Sequence, residues 1–189
     1  DTQPSTFKKY PHFFTRYKFK DLPNKDLLEL ISSITFTKKN GNASYHLRTN
    51  PSAGALYPVE LYIQIRNIKN IPNGIYHYEV ISDCLTFIKP IGNDGLEYFF
   101  DSKQIDGYVF FISSPYFRTF WKYGHRSLRY TLLDTGHLLG AIEASCYIND
   151  LDLITVFEFD RTGCDKFFNF ENKELPISFA YSGKVTEKK

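Results

Sequence analysis

Two stretches of the chain concentrate groups that could do chemistry. In Arg48-Thr49-Asn50-Pro51-Ser52-Ala53-Gly54-Ala55-Leu56-Tyr57-Pro58, small residues leave the backbone of Ser52, Ala53 and Gly54 bare. A flat or anionic ligand can approach N–H groups uncovered in this way. Pro51 and Pro58 fix φ at both ends and stiffen the loop. Arg48 adds a permanent positive charge at its entrance. A rigid turn feeding a core strand would have the same composition, so both readings stand. The second stretch, Trp121-Lys122-Tyr123-Gly124-His125-Arg126-Ser127-Leu128-Arg129-Tyr130, sets a lysine beside a tyrosine just ahead of a long helical pattern. By residue type alone, Lys122 is a solvated lysine before a helix.

The remaining reactive residue types read as structural. His77 stands on a strand among tyrosines, as a half-buried residue rather than a ligand. His137, inside the long helix, reads as hydrogen-bonded in a packed interface. No His, Asp, Glu and Cys set has metal-site spacing, and neither a nucleophile elbow nor a P-loop is present. Cys84, Cys146 and Cys164 are dispersed without a CxxC pair, which argues against a disulfide framework and a zinc site. Cys146 lies in an apolar helical stretch as a small core residue.

The elements that must position these residues follow from periodicity. Val59, Leu61, Ile63 and Ile65 alternate with Glu60, Tyr62, Gln64 and Arg66, the period of a strand over 58–66. Residues 1–20, basic and aromatic with two prolines, read as an extended arm. Leu27, Leu28, Ile31 and Ile34 recur at helical spacing, with Asp26 and Glu29 near the N-terminal end. Lys38 to Ser44 reads as a polar loop. Gly74–Glu79 and Leu85–Ile88 form a hairpin through Ser82-Asp83, and a short helical piece falls within Gly92–Gly107. Tyr108–Ile112 is apolar throughout and suits a central strand buried on both faces. The longest helix covers 127–149, with Leu128, Leu132, Leu139, Ile142 and Cys146 as its apolar stripe. Gly136, Gly140 and Ala144, at i, i+4 and i+8, would let another helix approach closely. Strands follow at Leu151–Phe159 and Ile177–Tyr181, joined by an irregular connection at 163–172, and the tail 184–189 is charged and frayed. The sum is one α+β domain over 1–189, with a mainly antiparallel mixed sheet and one long central helix.

With 189 residues the chain can bury a sizeable core. A net charge of +2 with dispersed basic residues gives no pull toward nucleic acid. Aromatics make up 17% of the chain and can close a core or stack on a flat cofactor. No apolar run is long enough to span a membrane and no signal peptide opens the chain, so a cytoplasmic location is expected. Beginning at Asp1 with no methionine, the chain reads as a processed product or a piece of something longer.

Two motif blocks carry a family resemblance. Arg48-x-x-Pro51-Ser52-Ala53-Gly54-Ala55-Leu56-Tyr57-Pro58-x-Glu60-x-Tyr62, and Lys122-Tyr123-Gly124 followed by Arg126, Arg129-Tyr130, Leu132-Leu133 and Gly136-His137, resemble nitroreductase-like FMN oxidoreductases of the SagB-type (azoline oxidase) branch. Gly74-x-Tyr76-His77-Tyr78 and its hairpin resemble that branch too. The resemblance implies a nitroreductase-like fold, a dimer packed through the long helix, and FMN lined by Arg48, Ser52, Ala53 and Gly54. It implies that Lys122 and Tyr123 are a catalytic pair oxidising a thiazoline or oxazoline in a ribosomal peptide to the azole, within a homodimer or a heteromeric biosynthetic complex. Aromatising such a ring removes a proton from one carbon and a hydride from its neighbour. A lysine serves as the base only when neutral, a form that desolvation or nearby cations favour; Arg118, Arg126 and Arg129 are the cations nearest in sequence.

Two blocks depart from the family pattern. Phe13-Phe14-Thr15-Arg16 stands where the family opens with arginines that hold the FMN phosphate, leaving Arg16 as an offset substitute. Phe157-Glu158-Phe159-Asp160 puts a carboxylate where a glycine usually meets the flavin, while Glu174-Leu175-Pro176 and Gly183 keep the family's ending and Lys184 is in reach of a phosphate. The departures open an alternative, a flavin-poor homologue kept as a structural or interaction subunit. An NAD(P)H-dependent nitroreductase is a third option, in which the Lys-Tyr pair has no role.

Overall fold

In the computed structural model, which describes residues 4–41 and 43–186, alternation builds the centre of the molecule. In chain order the elements are β1 (Arg16–Lys18), α1 (Lys25–Ser32), β2 (Ile34–Asn40), β3 (Ala43–Arg48), β4 (Glu60–Arg66), β5 (Gly74–Glu79), β6 (Cys84–Pro90), β7 (Gln104–Ser114), α2 (Phe117–Tyr123), α3 (Ser127–Ile148), β8 (Ile154–Val156), α4 (Arg161–Phe168) and β9 (Leu175–Thr186). Seven strands form one sheet in the order β1-β6-β5-β4-β7-β9-β8. Every described pairing in it is antiparallel.

The sheet is covered on both faces. Leu61, Ile63 and Ile65 share one core with Leu27, Leu28 and Ile31 of α1 and Leu138, Ile142 and Cys146 of α3. On the other face the register aligns Arg16, Thr86, His77, Tyr62, Phe111, Phe179 and Val156 in one row across the strands. Its apolar end packs with Leu96, Phe99, Cys164 and Phe170. β4 is therefore buried along its whole length, its polar face included. Each charge there needs a partner: Arg66 Nη2 lies 2.8 Å from Glu97 Oε1, with both side chains buried.

Several expectations need correction. The polar loop at 38–44 belongs instead to a two-stranded hairpin of β2 and β3, set apart from the main sheet; Asn42 lies outside the described residues. The arm stops short of residue 20, because β1 pairs with β6 and Phe19 is fully buried. Residues 163–172 begin inside α4, whose first turn is capped by Asp160. β8 is only three residues long. Lys184–Thr186 pair with β7 rather than fraying, while 1–3 and 187–189 lie outside the described residues. The stripe on α3 is also misplaced. Ile142 and Cys146 are buried, but Leu128 and Leu132 are 55% and 53% exposed, and Ser127, Thr131, Asp134 and Thr135 face inward instead.

Candidate functional site

The Ser52–Pro58 loop takes the strained course its sequence allows. Gly54, Ala55 and Tyr57 have φ of 64°, 54° and 48°, and a left-handed conformation at a non-glycine residue costs about 1–3 kcal/mol. The strain is offset by α3. The Ser52 hydroxyl donates to Asp134 Oδ2 at 2.5 Å, the Ala53 N–H donates to Asp134 Oδ1 at 3.3 Å, and the Tyr57 N–H donates to Ser52 Oγ at 2.8 Å. Burial pushes the Asp134 carboxyl above its ordinary pKa, against the pull of the Ser52 and Ala53 donors. A polar inner face on the first half of α3 follows from this, since a loop that exposes backbone donors needs an acceptor from the helix covering it.

Above the loop stands the pair from the second motif. Tyr123 OH and Lys122 Nζ lie 2.7 Å and 2.9 Å from where a Cβ on Gly54 would stand, so a side chain there would push both groups aside. α2 ends at Tyr123 and Gly124, which has φ of 53°, turns the chain into α3. Tyr123 also packs on Tyr130, ring centroids 4.5 Å apart. A primary amine and a phenol thus converge over a bare piece of backbone. They could take a proton from a small ligand there and donate a hydrogen bond to it.

Behind the loop lies a charge cluster. Glu60 Oε1 is 2.5 Å from Arg118 Nη2 and Glu60 Oε2 is 2.8 Å from His77 Nε2. Arg118 also donates to the Tyr57 carbonyl at 3.1 Å. Arg48 stacks its guanidinium on the Tyr57 ring at 4.0 Å and donates to the Thr6 carbonyl at 3.0 Å, while its Nε is buried without an acceptor. Burial lowers its pKa to about 10, partly countered by Glu60, so it stays charged at neutral pH. Arg118 pairs directly with Glu60 while Arg48 acts on the same carboxylate only through its charge, and this surplus of positive charge suits an anion.

The sequence-derived site residues separate into two groups. Gly54, Lys122 and Tyr123 come together. Ser52 and Ala53 stand beside them, but their donors are already engaged by Asp134. Arg118 turns inward to Glu60 rather than toward Lys122, and Arg126 and Arg129 lie exposed. Arg16 is elsewhere, with its guanidinium taken up by Glu79 at 3.1 Å and by the carbonyls of Tyr10, Phe14 and Pro11. His137 is exposed, whereas His77 is buried between Tyr10 and Tyr62. Glu158 lines a cavity of about 480 Å³ with Asp101 and Asp160. Sequence gives no site role to Asp134 or Glu60, although Asp134 lies inside the second motif and Glu60 inside the first, and it reads Arg118 only as a cation near Lys122. Among the described residues no group of three His, Cys, Asp or Glu could hold a metal, and no helix is long and apolar enough to cross a membrane.

No family model matches the chain. A protein of Methanocaldococcus jannaschii named as a nitroreductase is 31% identical over 117 residues, 59% of this chain and 58% of its own length. A nitroreductase crystal structure from Anabaena variabilis superposes over 95% of this chain and 40% of that one, with a TM-score of 0.83 and 25% identity. The E. coli microcin synthetase McbBCD complex with truncated pro-MccB17 bound has a chain that superposes over 86% of this one and 62% of its own, with a TM-score of 0.64 and 21% identity. The chain has a nitroreductase-like fold, and it spans well under two thirds of the length of the first two of these proteins.

Proposed function

We propose that the protein is an FMN-dependent oxidoreductase of the SagB type, acting on azoline rings of a ribosomally made peptide. The observation that carries the proposal is the convergence of Lys122 Nζ and Tyr123 OH over Gly54. It joins the two motif blocks on which the family resemblance rests, and the likeness to nitroreductases supports the redox class.

The fit to FMN is divided. Gly54 offers a bare backbone, and Arg48 has an orphaned buried Nε beside a surplus of positive charge. Ser52 and Ala53 would line the ring by shape, because Asp134 holds their donors. Arg16 remains outside the set while Glu79 and the arm carbonyls engage it. Bound flavin would supply a two-electron acceptor. On this reading Lys122 Nζ takes the ring proton, and the Tyr123 hydroxyl holds the heteroatom of the ring in place. A dimer would close the site. Leu128, Leu132 and Leu133 are more than half exposed along α3, and a Cβ added to Gly136 or Gly140 would meet nothing within 4 Å.

Purified protein titrated with FMN should show bound-flavin absorption near one equivalent. Lys122→Ala should then lower azoline oxidation by about 10²–10⁴-fold without releasing flavin. Unchanged turnover would remove Lys122 from its role.

A second reading, a flavin-poor interaction subunit, is favoured by the acids Asp101, Glu158 and Asp160 around one cavity and by the engaged donors of Arg16, Ser52 and Ala53. A protein that stays colourless at micromolar FMN would select it.

A further inference from the structure

Residues 4–15 form neither helix nor strand, yet half-buried and buried side chains grip them along their length. Arg48 holds the Thr6 carbonyl, and Arg16 donates to the Tyr10 carbonyl at 2.9 Å and the Phe14 carbonyl at 3.2 Å. Between these grips, the Lys8 ammonium enters a cage. Its Nζ lies 2.6 Å from Glu174 Oε2 and donates to the Tyr62 hydroxyl at 2.5 Å, with the Phe170 ring centroid 5.3 Å away. Glu174, Tyr62 and Phe170 are all buried, and Glu174 Oε1 accepts from the Tyr62 and Ser113 hydroxyls. Two residues on, Tyr10 packs its ring on His77 at 5.2 Å. Past Lys8 the groove widens into a cavity of about 470 Å³, also lined by Arg118, Phe168 and Lys173.

We propose that this groove is a recognition site for an extended peptide that carries a primary ammonium followed two residues later by an aromatic ring, with residues 4–15 as its built-in occupant. A buried carboxylate beside a phenol oxygen and an aromatic ring selects a cation, since the anion, the hydroxyl acceptor and the ring quadrupole act on it together. Grips on main-chain carbonyls are indifferent to sequence and suit any extended chain. The occupant is displaceable, because Thr15 is the first described arm residue to exchange a backbone hydrogen bond with the sheet, with Phe87 at 2.9 Å. The inference deepens the peptide-substrate reading, but the cage shares no residue with Lys122 and Tyr123 and needs no flavin, so the two fail separately.

The test is fluorescence anisotropy with a labelled peptide copying residues 5–13, added to the whole protein. Lys8→Ala empties the cage and should bind this peptide at least tenfold more tightly than the wild type. Norleucine at the peptide position matching Lys8 should lose at least tenfold, and Glu174→Gln should erase the preference for lysine over norleucine. Equal affinities for wild type and Lys8→Ala, or for lysine and norleucine peptides, would overturn the proposal. On the wild type, millimolar peptide should speed tryptic cleavage after Lys8 and Lys9, as the arm leaves the groove; unaltered cleavage there would overturn it without any variant.

Discussion

Glu60 sits where Arg118, at 2.5 Å, and His77, at 2.8 Å, converge, with Arg48 close enough to act on its charge. Burial alone would raise its pKa, but these neighbours together hold it well below the usual carboxylate range. A carboxyl depressed in the folded state contributes stability above its unfolded pKa and loses it as pH falls toward the folded value. Glu60→Gln should therefore cost about 3–5 kcal/mol at neutral pH, the price of leaving a buried pair half-made. The gap between wild type and variant should narrow as pH falls from about 5 to about 3. Denaturant unfolding at several pH values reads this directly, and a gap that does not change with pH would mean that the ionised form of Glu60 is not what stabilises. None of this was legible from the strand pattern. The alternation put Glu60, Gln64 and Arg66 on one face without saying that the face is buried, because burial depends on α4, the arm and the segment before β7, which are remote in sequence.

At the scale of elements, α3 positions the candidate site through one side chain. Asp134 accepts from both Ser52 and Ala53 and so pins the loop that carries Gly54 beneath Lys122 and Tyr123. Asp134→Ala takes a charged acceptor from a half-buried hydroxyl and a half-buried backbone N–H, a loss of about 1–3 kcal/mol. Urea unfolding should show that loss, and hydrogen exchange should show the 52–57 amides opening first. Full retention of stability would mean the loop holds its shape unaided. The apolar stripe expected on this helix was drawn through the outward leucines Leu128 and Leu132 as though they faced the core. Helical periodicity finds a stripe but not its neighbour, and the neighbour of the first half of α3 is a polar loop.

Over the whole molecule, the outward leucines, Gly136, Gly140, Tyr147 and Ile148 leave α3 with an apolar flank at 53–81% exposure for its large side chains. Monomers seldom expose a contiguous apolar patch of this kind. The proposed dimer places it against a second copy. Leu132→Lys should then shift the protein from dimer to monomer in sedimentation or light scattering at micromolar concentration, with the fold retained by circular dichroism. A wild type that is monomeric under those conditions would dismiss the dimer.

Period and motif spacing are local properties, so the strands β4, β5 and β7, the long helix and the likeness to nitroreductases are legible in the sequence. It also named Gly54, Lys122 and Tyr123, about 70 residues apart, through two short motifs. That these three meet, that Asp134 takes the donors of Ser52 and Ala53, and that Arg16 grips the arm emerge only in the folded chain. Those outcomes depend on which buried charges find partners, and a partner across the sheet or from another helix leaves no mark on the residues beside it in the chain.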